Sequence, residues 1–439
     1  MRVALTLLAL GVFLAWTSLM WTSLARADTG VPLTESARAA SLAGAVTALD
    51  DDLSALAANP GALASLEHAS FALSVRGGFV DFDFRRTGER TQTFDRSLVG
   101  FDLTLASPLP GALDFLVFGA AINLPAQNIL RFRASPRADG PRLALYESRV
   151  ERTAITLALG AKIFERIQVG YGVTLAPRLT LPTRIDFDAE REGETNNDRV
   201  AVDLDLTLRT GVAWTVGMRL ELHDRLALGV RYSEAIVLEV SGPTDIRAGG
   251  IRLDEVLDFE DVATPQEIAL GLTTRPVDGL LLSVDVRWDD WSRYRTILAR
   301  EPDPGWSDVW SVRVGGEARV ARGIDARLGY GWLPSPVPAQ VADDNLLDGD
   351  RHEVALGLGI DLAAFDVARV RLDAYARVHA FHQQRATKDP SRLSDADPDV
   401  PDRQIDNLGY PGFVSRGSFW QLGITATARL GREANGVAR

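Results

Sequence analysis

The chain has 439 residues, no cysteine and a formal net charge of −12. Without cysteine there can be no disulfide framework, thiol nucleophile or thiolate metal site, and the acidic balance makes the chain a poor partner for nucleic acid. Hydrophobic residues make up 46% of the sequence, yet after residue 27 no run approaches the roughly 18 consecutive apolar residues of a membrane helix. Another rule must therefore distribute the apolar residues.

The N-terminus has the pattern of a secretory signal peptide. An apolar run over 3–24 follows Met1 and Arg2 and ends at Ala25-Arg26-Ala27, a small-x-small cleavage pattern. The alternative is a retained membrane anchor, but serines and threonines interrupt the run and no basic cluster follows it to fix its topology. We therefore predict a signal peptide over 1–27.

The next segment contains a helix start at Asn59-Pro60-Gly61. Asparagine is a good N-cap, and proline is tolerated at the first helical position. The residues from Ala62 to Leu66 can continue one helical turn. The sequence therefore predicts a short helix that begins after Asn59.

From Val202 onward, apolar residues alternate with polar ones. Every second position from Val202 to Leu220 is apolar except Thr210, and this stripe spans 19 residues. Period two places the two sets on opposite faces of a strand. A membrane-spanning strand needs about nine to eleven residues, so this length favours a barrel that projects beyond the bilayer. A soluble sandwich also alternates but rarely sustains such lengths.

The same alternation recurs along the chain and predicts about fourteen strands. Links after even-numbered strands are short and turn-like, whereas most links after odd-numbered strands are long and polar. Periplasmic turns and extracellular loops of single-chain outer-membrane barrels alternate in this way. The sequence therefore predicts an all-β fold, a transmembrane antiparallel β-barrel. The predicted strands lie near 69–80, 97–106, 113–124, 152–163, 168–187, 202–220, 225–240, 267–274, 280–294, 309–320, 325–332, 352–362, 369–381 and 418–430.

Two stretches resemble the outer-membrane long-chain fatty-acid transporter family (FadL/TodX-like). Residues Ser36 to Leu66 combine small residues, an acidic run and Asn-Pro-Gly, where Gly61 replaces the family's usual alanine. Residues Thr264 to Tyr294 resemble that family's proline-led hairpin, which closes on Trp-Ser-x-aromatic. The resemblance implies a fourteen-stranded barrel plugged by its own N-terminus. We expect a plug over 28–67, a barrel over 68–430 and a tail over 431–439, although the family usually ends on an aromatic residue.

The resemblance assigns Asn59, Pro60 and Gly61 to the plug. The third predicted strand is apolar on both faces, since Phe115, Val117 and Ala121 lie opposite leucine, phenylalanine and isoleucine. Such a strand is a candidate for the wall of a hydrophobic conduit, and we hypothesise a lateral exit at Phe115, Val117, Gly119 and Ala121. The alternative is a strand that simply packs against the plug.

Two long links carry candidate ligand-binding residues. Between Pro125 and Glu151, apolar side chains stand beside arginines, a pattern that suits an amphipathic anion such as a fatty acid. The alternative is that these arginines meet lipid phosphates. The link from Ser241 to Gln266 is a second candidate lid. The predicted substrate-binding residues are Arg131, Phe132, Arg133, Leu143, Tyr146, Leu257 and Phe259.

Together these features predict a channel of the Gram-negative outer membrane for passive uptake of fatty acids or hydrocarbons. Extracellular loops would capture the ligand and release it past the plug. The alternatives are a scaffold barrel of a secretion or assembly complex and a general porin. We expect a monomer that contacts outer-membrane lipid, with no catalytic residues, no cofactor and no metal site. The acidic runs at Asp50-Asp51-Asp52 and 395–402 favour a solvated surface over cation binding.

Overall fold

A computed structural model describes most of the chain. The described residues are 35–86, 92–125, 130–131, 141–143, 151–177, 179–189, 198–248, 251–294, 304–365, 369–394 and 405–430. The predicted signal peptide and the predicted tail lie outside them. In the part of the chain that the structure describes, no helix has the length and apolarity to cross a membrane.

Fourteen antiparallel strands form a closed barrel, as the sequence predicts. Each strand pairs with its neighbour in the chain, and β1 pairs with β14 over the whole length of β1 to close the ring. These wall strands are β1 (Ala69–Arg86), β2 (Gln92–Pro108), β3 (Leu116–Pro125), β4 (Ala154–Phe164), β5 (Ile167–Ala176), β6 (Gly211–His223), β7 (Leu226–Ser233), β8 (Gln266–Val277), β9 (Leu280–Asp290), β10 (Val309–Ala321), β11 (Ile324–Leu333), β12 (Arg351–Asp361), β13 (Val370–Phe381) and β14 (Gly412–Leu430).

Alternation along each wall strand separates apolar from polar side chains. On β12, Val354, Leu356 and Leu358 are exposed on the outer face, whereas Glu353 and Ala355 are buried on the inner face. A pleated strand sends successive side chains to opposite faces. The leucine and valine side chains on the outer face of β12 are 41–57% exposed, as expected where a barrel wall contacts lipid.

Three predicted strands are too long, because the wall continues into a second sheet. The predicted strand over 168–187 breaks near residue 177, the one over 202–220 breaks at 209–210, and the one over 225–240 breaks at 234–235. On the extracellular side of the breaks, four further strands form a separate sheet. They pair in the same spatial order as β5, β6, β7 and β8 of the wall. We call this the extension sheet. Its strands are Leu179–Ala189, Asp198–Leu208, Ile236–Ala248 and Ile251–Thr264.

The link from Ser241 to Gln266 is also not the loop that the sequence predicts, since residues 241–248 and 251–264 belong to paired strands of the extension sheet; its role as a lid stays a prediction. Ile236 pairs with Thr264 and Val237 with Val262, so Ala263 has no partner and forms a bulge. A bulge shifts alternation by one residue. The period-two pattern of residues 251–264 is further interrupted at Glu255. Because of these two irregularities, the sequence did not predict a strand here.

The two ends of the barrel differ in their connections. Two-residue turns join β4 to β5, β6 to β7, β8 to β9 and β10 to β11. Gly279 and Gly323 occupy two of these turns with φ of 79° and 68°, a left-handed conformation that glycine adopts without strain. Most links at the opposite end are long. The predicted alternation of short and long links is thus confirmed, and it assigns the turn end to the periplasm.

Exposed aromatic side chains ring the outer face near the long links. Trp310, Trp420 and Phe79 are exposed, and Trp420 pairs in register with Phe79. The rings of Trp214 and Tyr232 lie 4.8 Å apart. Tryptophan and tyrosine favour the level of lipid headgroups, because one side of each ring is apolar and the other polar. These residues therefore define the outer membrane interface of the barrel.

Residues 35–66, here called the N-terminal segment, lie inside the ring of strands. The segment contains α1 (Ala37–Ser41), α2 (Ala55–Ala58) and a 3-10 helix over Pro60–Ser65. The predicted helix start is present, because Asn59 is the N-cap and its side chain accepts a hydrogen bond from the Gly61 N–H. Most of the segment is buried.

Inward-facing glycines make room for the backbone of the N-terminal segment. Gly160, Gly170 and Gly217 are paired across β4, β5 and β6, and a Cβ at Gly170 would collide with Pro60 and Gly61. Equivalent close approaches occur elsewhere around the ring. They join Gly229 to Thr47, Gly315 to Leu42, Gly329 to Ala43 and Gly357 to Ser41. The segment is thus fitted to this belt of glycines.

We predict that Gly170→Ala loosens the N-terminal segment, because a Cβ there must displace the backbone at Pro60. Overpacking of this kind costs about 1–3 kcal/mol. The measurement is the thermal midpoint of the detergent-solubilised protein, together with the rate of protease cleavage within the segment.

Gly316→Ala is the matched control, since the nearest atoms to a Cβ on that outward-facing residue are the Leu282 Cδ2 atom at 3.6 Å and the Leu281 carbonyl oxygen at 4.0 Å, both ordinary contacts. We expect Gly170→Ala to lower the midpoint and speed cleavage while Gly316→Ala leaves both unchanged. Equal behaviour of the two variants would contradict the fitted contact.

Candidate functional site

The extracellular end of the lumen holds a large cluster of buried apolar side chains, which we call the mouth cluster. Its members come from the upper parts of β1, β10, β13 and β14 and from the links that follow β9, β11 and β13. They are Val80, Phe82, Phe84, Trp291, Trp306, Val309, Leu346, Leu347, Phe381, Ala386, Phe413 and Phe419, with Tyr294 and Val337 packed against them.

Aromatic rings dominate the mouth cluster. Tyr294 stacks on Trp306 with ring centroids 3.8 Å apart, and Trp291 lies 5.5 Å from Trp306. On the opposite side, Phe82 meets Phe381 edge-on at 4.7 Å. Large aromatic surfaces with few polar groups are typical of sites that bind apolar ligands. The mouth cluster has the composition of such a site.

The links above the mouth cluster are held by buried polar contacts. Lys388 donates from Nζ to the carbonyl oxygens of Ala342 and Asp344, both at 2.6 Å, and lies over the Phe413 ring. The Ser335 hydroxyl donates to Asp348 at 2.6 Å. Burial raises the pKa of Asp348 even though Arg351 and Ser335 oppose this effect. These contacts close the links over the aromatic rings.

A second apolar region lies deeper in the lumen, and we call it the apolar sector. Leucines of the N-terminal segment pack there on small inward-facing side chains of β1 to β4. Its members are Leu53, Ala55, Leu56, Ala62, Leu63, Leu66, Ala72, Ala106, Val117, Ala121 and Ala158. By contrast, the inward faces of β6 to β13 carry most of the buried charges. The apolar sector thus lies on the β1 to β4 side of the barrel.

Charged residues of the wall fix the N-terminal segment on the other side. The Asp285 carboxylate accepts hydrogen bonds from the backbone N–H groups of Val46 and Thr47, both at 3.0 Å. Arg377 pairs with Glu35 at 2.8 Å. A carboxylate that receives several N–H donors is a strong anchor inside a low-dielectric lumen.

The acidic triplet at 50–52 belongs to this anchoring and is not the solvated surface that the sequence suggested. Asp50 pairs with Arg219 at 2.8 Å and also with Arg275. Burial alone would raise the pKa of Asp50, but the hydrogen bond from Arg275 and the charge of Arg219 outweigh it and hold the pKa below the usual value. Only Asp51 of the triplet is exposed.

A polar layer lies between the mouth cluster and the apolar sector. It consists of Arg76 on β1, Asp102 on β2 and Asn123 on β3. The Arg76 Nη1 atom lies 3.3 Å from the Asp102 Oδ2 atom, and the Asn123 amide donates to Asp102 at 2.6 Å. Asp102 is only 1% exposed. The layer is therefore an internal ion pair supported by one amide.

The structure places the predicted plug residues against the wall. The Asn59 amide donates to the carbonyl oxygens of Thr47 at 2.6 Å and Met218 at 3.0 Å. Pro60 and Gly61 lie against the glycines of β5 and β6. Asn59 therefore joins two parts of the N-terminal segment to β6.

Three of the four predicted exit residues line the apolar sector. Val117 and Ala121 are buried there, and a Cβ at Gly119 would meet the Leu56 Cδ1 atom at 2.7 Å. Phe115 instead precedes β3 and is exposed. Backbone pairing of β3 with both neighbours is continuous over 117–123. The strand thus packs against the N-terminal segment in this state.

The predicted substrate-binding residues are scattered. Phe132, Arg133 and Tyr146 lie outside the described residues. The backbone of Arg131 pairs with Glu151, and that of Leu143 pairs with Leu347, a member of the mouth cluster. The backbone at 257 and 259 belongs to the extension sheet. Of these positions, the structure brings only Leu143 to the mouth cluster.

The sequence did not single out the mouth cluster or the polar layer. Alternation along β1 carried a signal, since Val80, Phe82 and Phe84 are apolar at positions that face inward. In a barrel with a charged lumen, apolar residues at inward-facing positions indicate an apolar patch on the lumen wall. The other members lie in links without periodicity or on strands far away in the sequence, so their convergence could not be found from the sequence.

The fold and the lumen define a transmembrane β-barrel with an aromatic mouth. The family model described as outer membrane protein transport protein (OMPP1/FadL/TodX) matches residues 31–401. The chain therefore belongs to this family of outer-membrane transport proteins, and its place is the bacterial outer membrane. No curated protein is significantly similar to it in sequence.

Solved structures share the fold. A Pseudomonas aeruginosa FadL homologue is 15% identical with a TM-score of 0.64, and the match covers 91% of this chain and 99% of that one. The P. putida toluene transporter TodX is 13% identical with a TM-score of 0.58, covering 91% and 99%. The Ralstonia pickettii toluene transporter TbuX is 13% identical with a TM-score of 0.53, covering 90% and 98%. At such identities the likeness shows the architecture alone.

Proposed function

We propose that this protein is a channel for passive uptake of hydrophobic small molecules, hydrocarbons or long-chain fatty acids, and that it carries out no catalysis. The observation behind this proposal is the pair of apolar regions on one side of the lumen. β1 contributes Phe82 to the mouth cluster and Ala72 to the apolar sector. A hydrophobic ligand that binds at the mouth therefore has a second apolar region deeper on the same side of the lumen, beyond the polar layer.

We infer that residues 28–67 act as a plug that prevents free passage of water and polar solutes. Support comes from the buried N-terminal segment, which contacts inward-facing residues of most wall strands. A general porin needs a water-filled lumen, and this arrangement disfavours one. The proposal also takes the channel to be a monomer that contacts outer-membrane lipid.

The ligand exit is proposed at β3. Val117, Gly119 and Ala121 present almost no side-chain bulk to the lumen, and Leu56 and Leu63 of the N-terminal segment fill that space. Since a leucine side chain can change rotamer at modest cost, movement of these two leucines would open a passage along the strand. Capture of ligand by Arg131, Leu143 and the other loop residues stays a prediction.

Trp306→Ala tests the mouth. Removing the indole should lower the initial rate of dodecanol uptake about three- to tenfold, because the ring supplies much of the apolar surface between Trp291 and Tyr294. Uptake is measured in Gram-negative cells that lack their own transporter of this family. Trp310→Ala, on the outer face, is the control with unchanged rate. The proposed function fails if cells with the wild-type protein take up no more dodecanol than cells with an empty vector.

Ala121→Leu tests the exit. The larger side chain should compete with Leu56 for space in the apolar sector and reduce uptake in the same assay, while dodecanol still binds at the mouth. Ala120→Leu is the matched control, since Ala120 is the neighbouring residue on the outer face of β3. Unchanged uptake by correctly folded Ala121→Leu protein would count against an exit at β3.

A further inference from the structure

The polar layer separates two apolar regions on the same side of the lumen. On β1, Arg76 lies between Ala72 of the apolar sector and Val80 of the mouth cluster. On β2 and β3, Asp102 and Asn123 are register partners. A molecule that travels from the mouth cluster along β1 to β3 must pass these side chains.

The guanidinium in this layer is already neutralised. Arg76 bonds to Asp102, whose second partner Asn123 holds the carboxylate against the wall at 2.6 Å. The Gly100 backbone gives the Arg76 side chain room, since a Cβ there would meet the Arg76 Nε atom at 3.2 Å. Asp102 is therefore fixed in place between its two partners.

Two other luminal arginines are balanced in the same way. Arg377 bonds to Glu35 and Glu353. Arg231 bonds to Glu267. At these two positions, a ligand carboxylate would therefore meet a cation that already has an anionic partner.

We propose that Asp102 is a specificity-determining residue that makes the channel prefer uncharged hydrophobic ligands over carboxylates. This inference rests on the proposed function. The carboxylate of a ligand at the polar layer is repelled by Asp102. To bind Arg76, it would have to displace the Asp102 carboxylate, which Asn123 holds against the wall. An uncharged chain meets no such repulsion and passes beside the intact ion pair.

The experiment compares the binding of two probes with equal chain length, dodecanol and dodecanoate, to purified protein in amphipol at about pH 8, where the carboxyl group is ionised. We expect wild-type protein to bind dodecanol about tenfold more tightly than dodecanoate or better. Asp102→Asn leaves Arg76 with a neutral neighbour, so it should tighten dodecanoate binding about tenfold and barely change dodecanol binding.

Three further variants complete the design. The double variant Asp102→Asn with Arg76→Gln removes both charges and should restore the dodecanol preference. Arg76→Gln alone leaves the Asp102 carboxylate without its cation and should weaken dodecanoate binding further. This variant changes dodecanoate affinity in the opposite direction to Asp102→Asn and tests the proposal if Asp102→Asn fails to fold. Asp325→Asn is the matched control, since Asp325 pairs with Arg371 at 2.8 Å away from the route and should not change the ratio.

The outcomes separate the two proposals. If folded Asp102→Asn protein keeps the wild-type ratio, or if wild-type protein binds both probes equally, Asp102 does not set specificity while the proposed function stands. If neither probe binds to wild-type protein, the proposed function fails and this inference fails with it. Folding is checked by the heat-dependent change in electrophoretic mobility that barrels show.

Discussion

The structure depends on one constraint, that backbone N–H and C=O groups inside a bilayer must find partners within the protein. The wall strands meet it by pairing with both neighbours, and the continuous pairing of β1 with β14 removes the last free edge. Once the sheet is closed, the pleat gives each strand one face toward lipid and one toward the lumen. The exposed leucines of β12 and the buried Glu353 on the same strand follow from this closure.

A closed ring encloses an interior whose space must be filled and whose polar groups need partners. Residues 35–66 fill it, and their backbone approaches the wall closely where glycine pairs such as Gly170 and Gly217 leave space. Buried charges are tolerated there because nearly every arginine has a carboxylate beside it, as Arg377 has Glu35. At β1 to β4 the segment instead packs leucines on small apolar side chains of the wall, and this is the route that we propose for a hydrophobic ligand.

Period-two alternation was enough to predict the number of strands, their faces and the two ends of the barrel, because each of these depends on local pattern. It failed where a local pattern is ambiguous. The breaks at 177 and 209–210 leave alternation intact, so strands of two sheets read as one, and the bulge at Ala263 hid a hairpin. The helix start at Asn59 was predictable from capping chemistry. The mouth cluster was not, since Val80 and Phe419 are 339 residues apart and only the closed ring brings them together.

The orientation of side chains in the wall can be measured directly, because the chain has no cysteine to interfere. Nitroxide labels are placed singly at positions 353 to 360 of β12 in protein reconstituted into lipid, and collisions with oxygen and with a polar nickel complex are recorded. Lipid-soluble oxygen should relax the labels at Val354, Leu356, Leu358 and Ile360 most strongly, with the intervening positions shielded from it. Equal oxygen access at all positions, or the opposite alternation, would contradict a wall that turns its apolar face to the membrane.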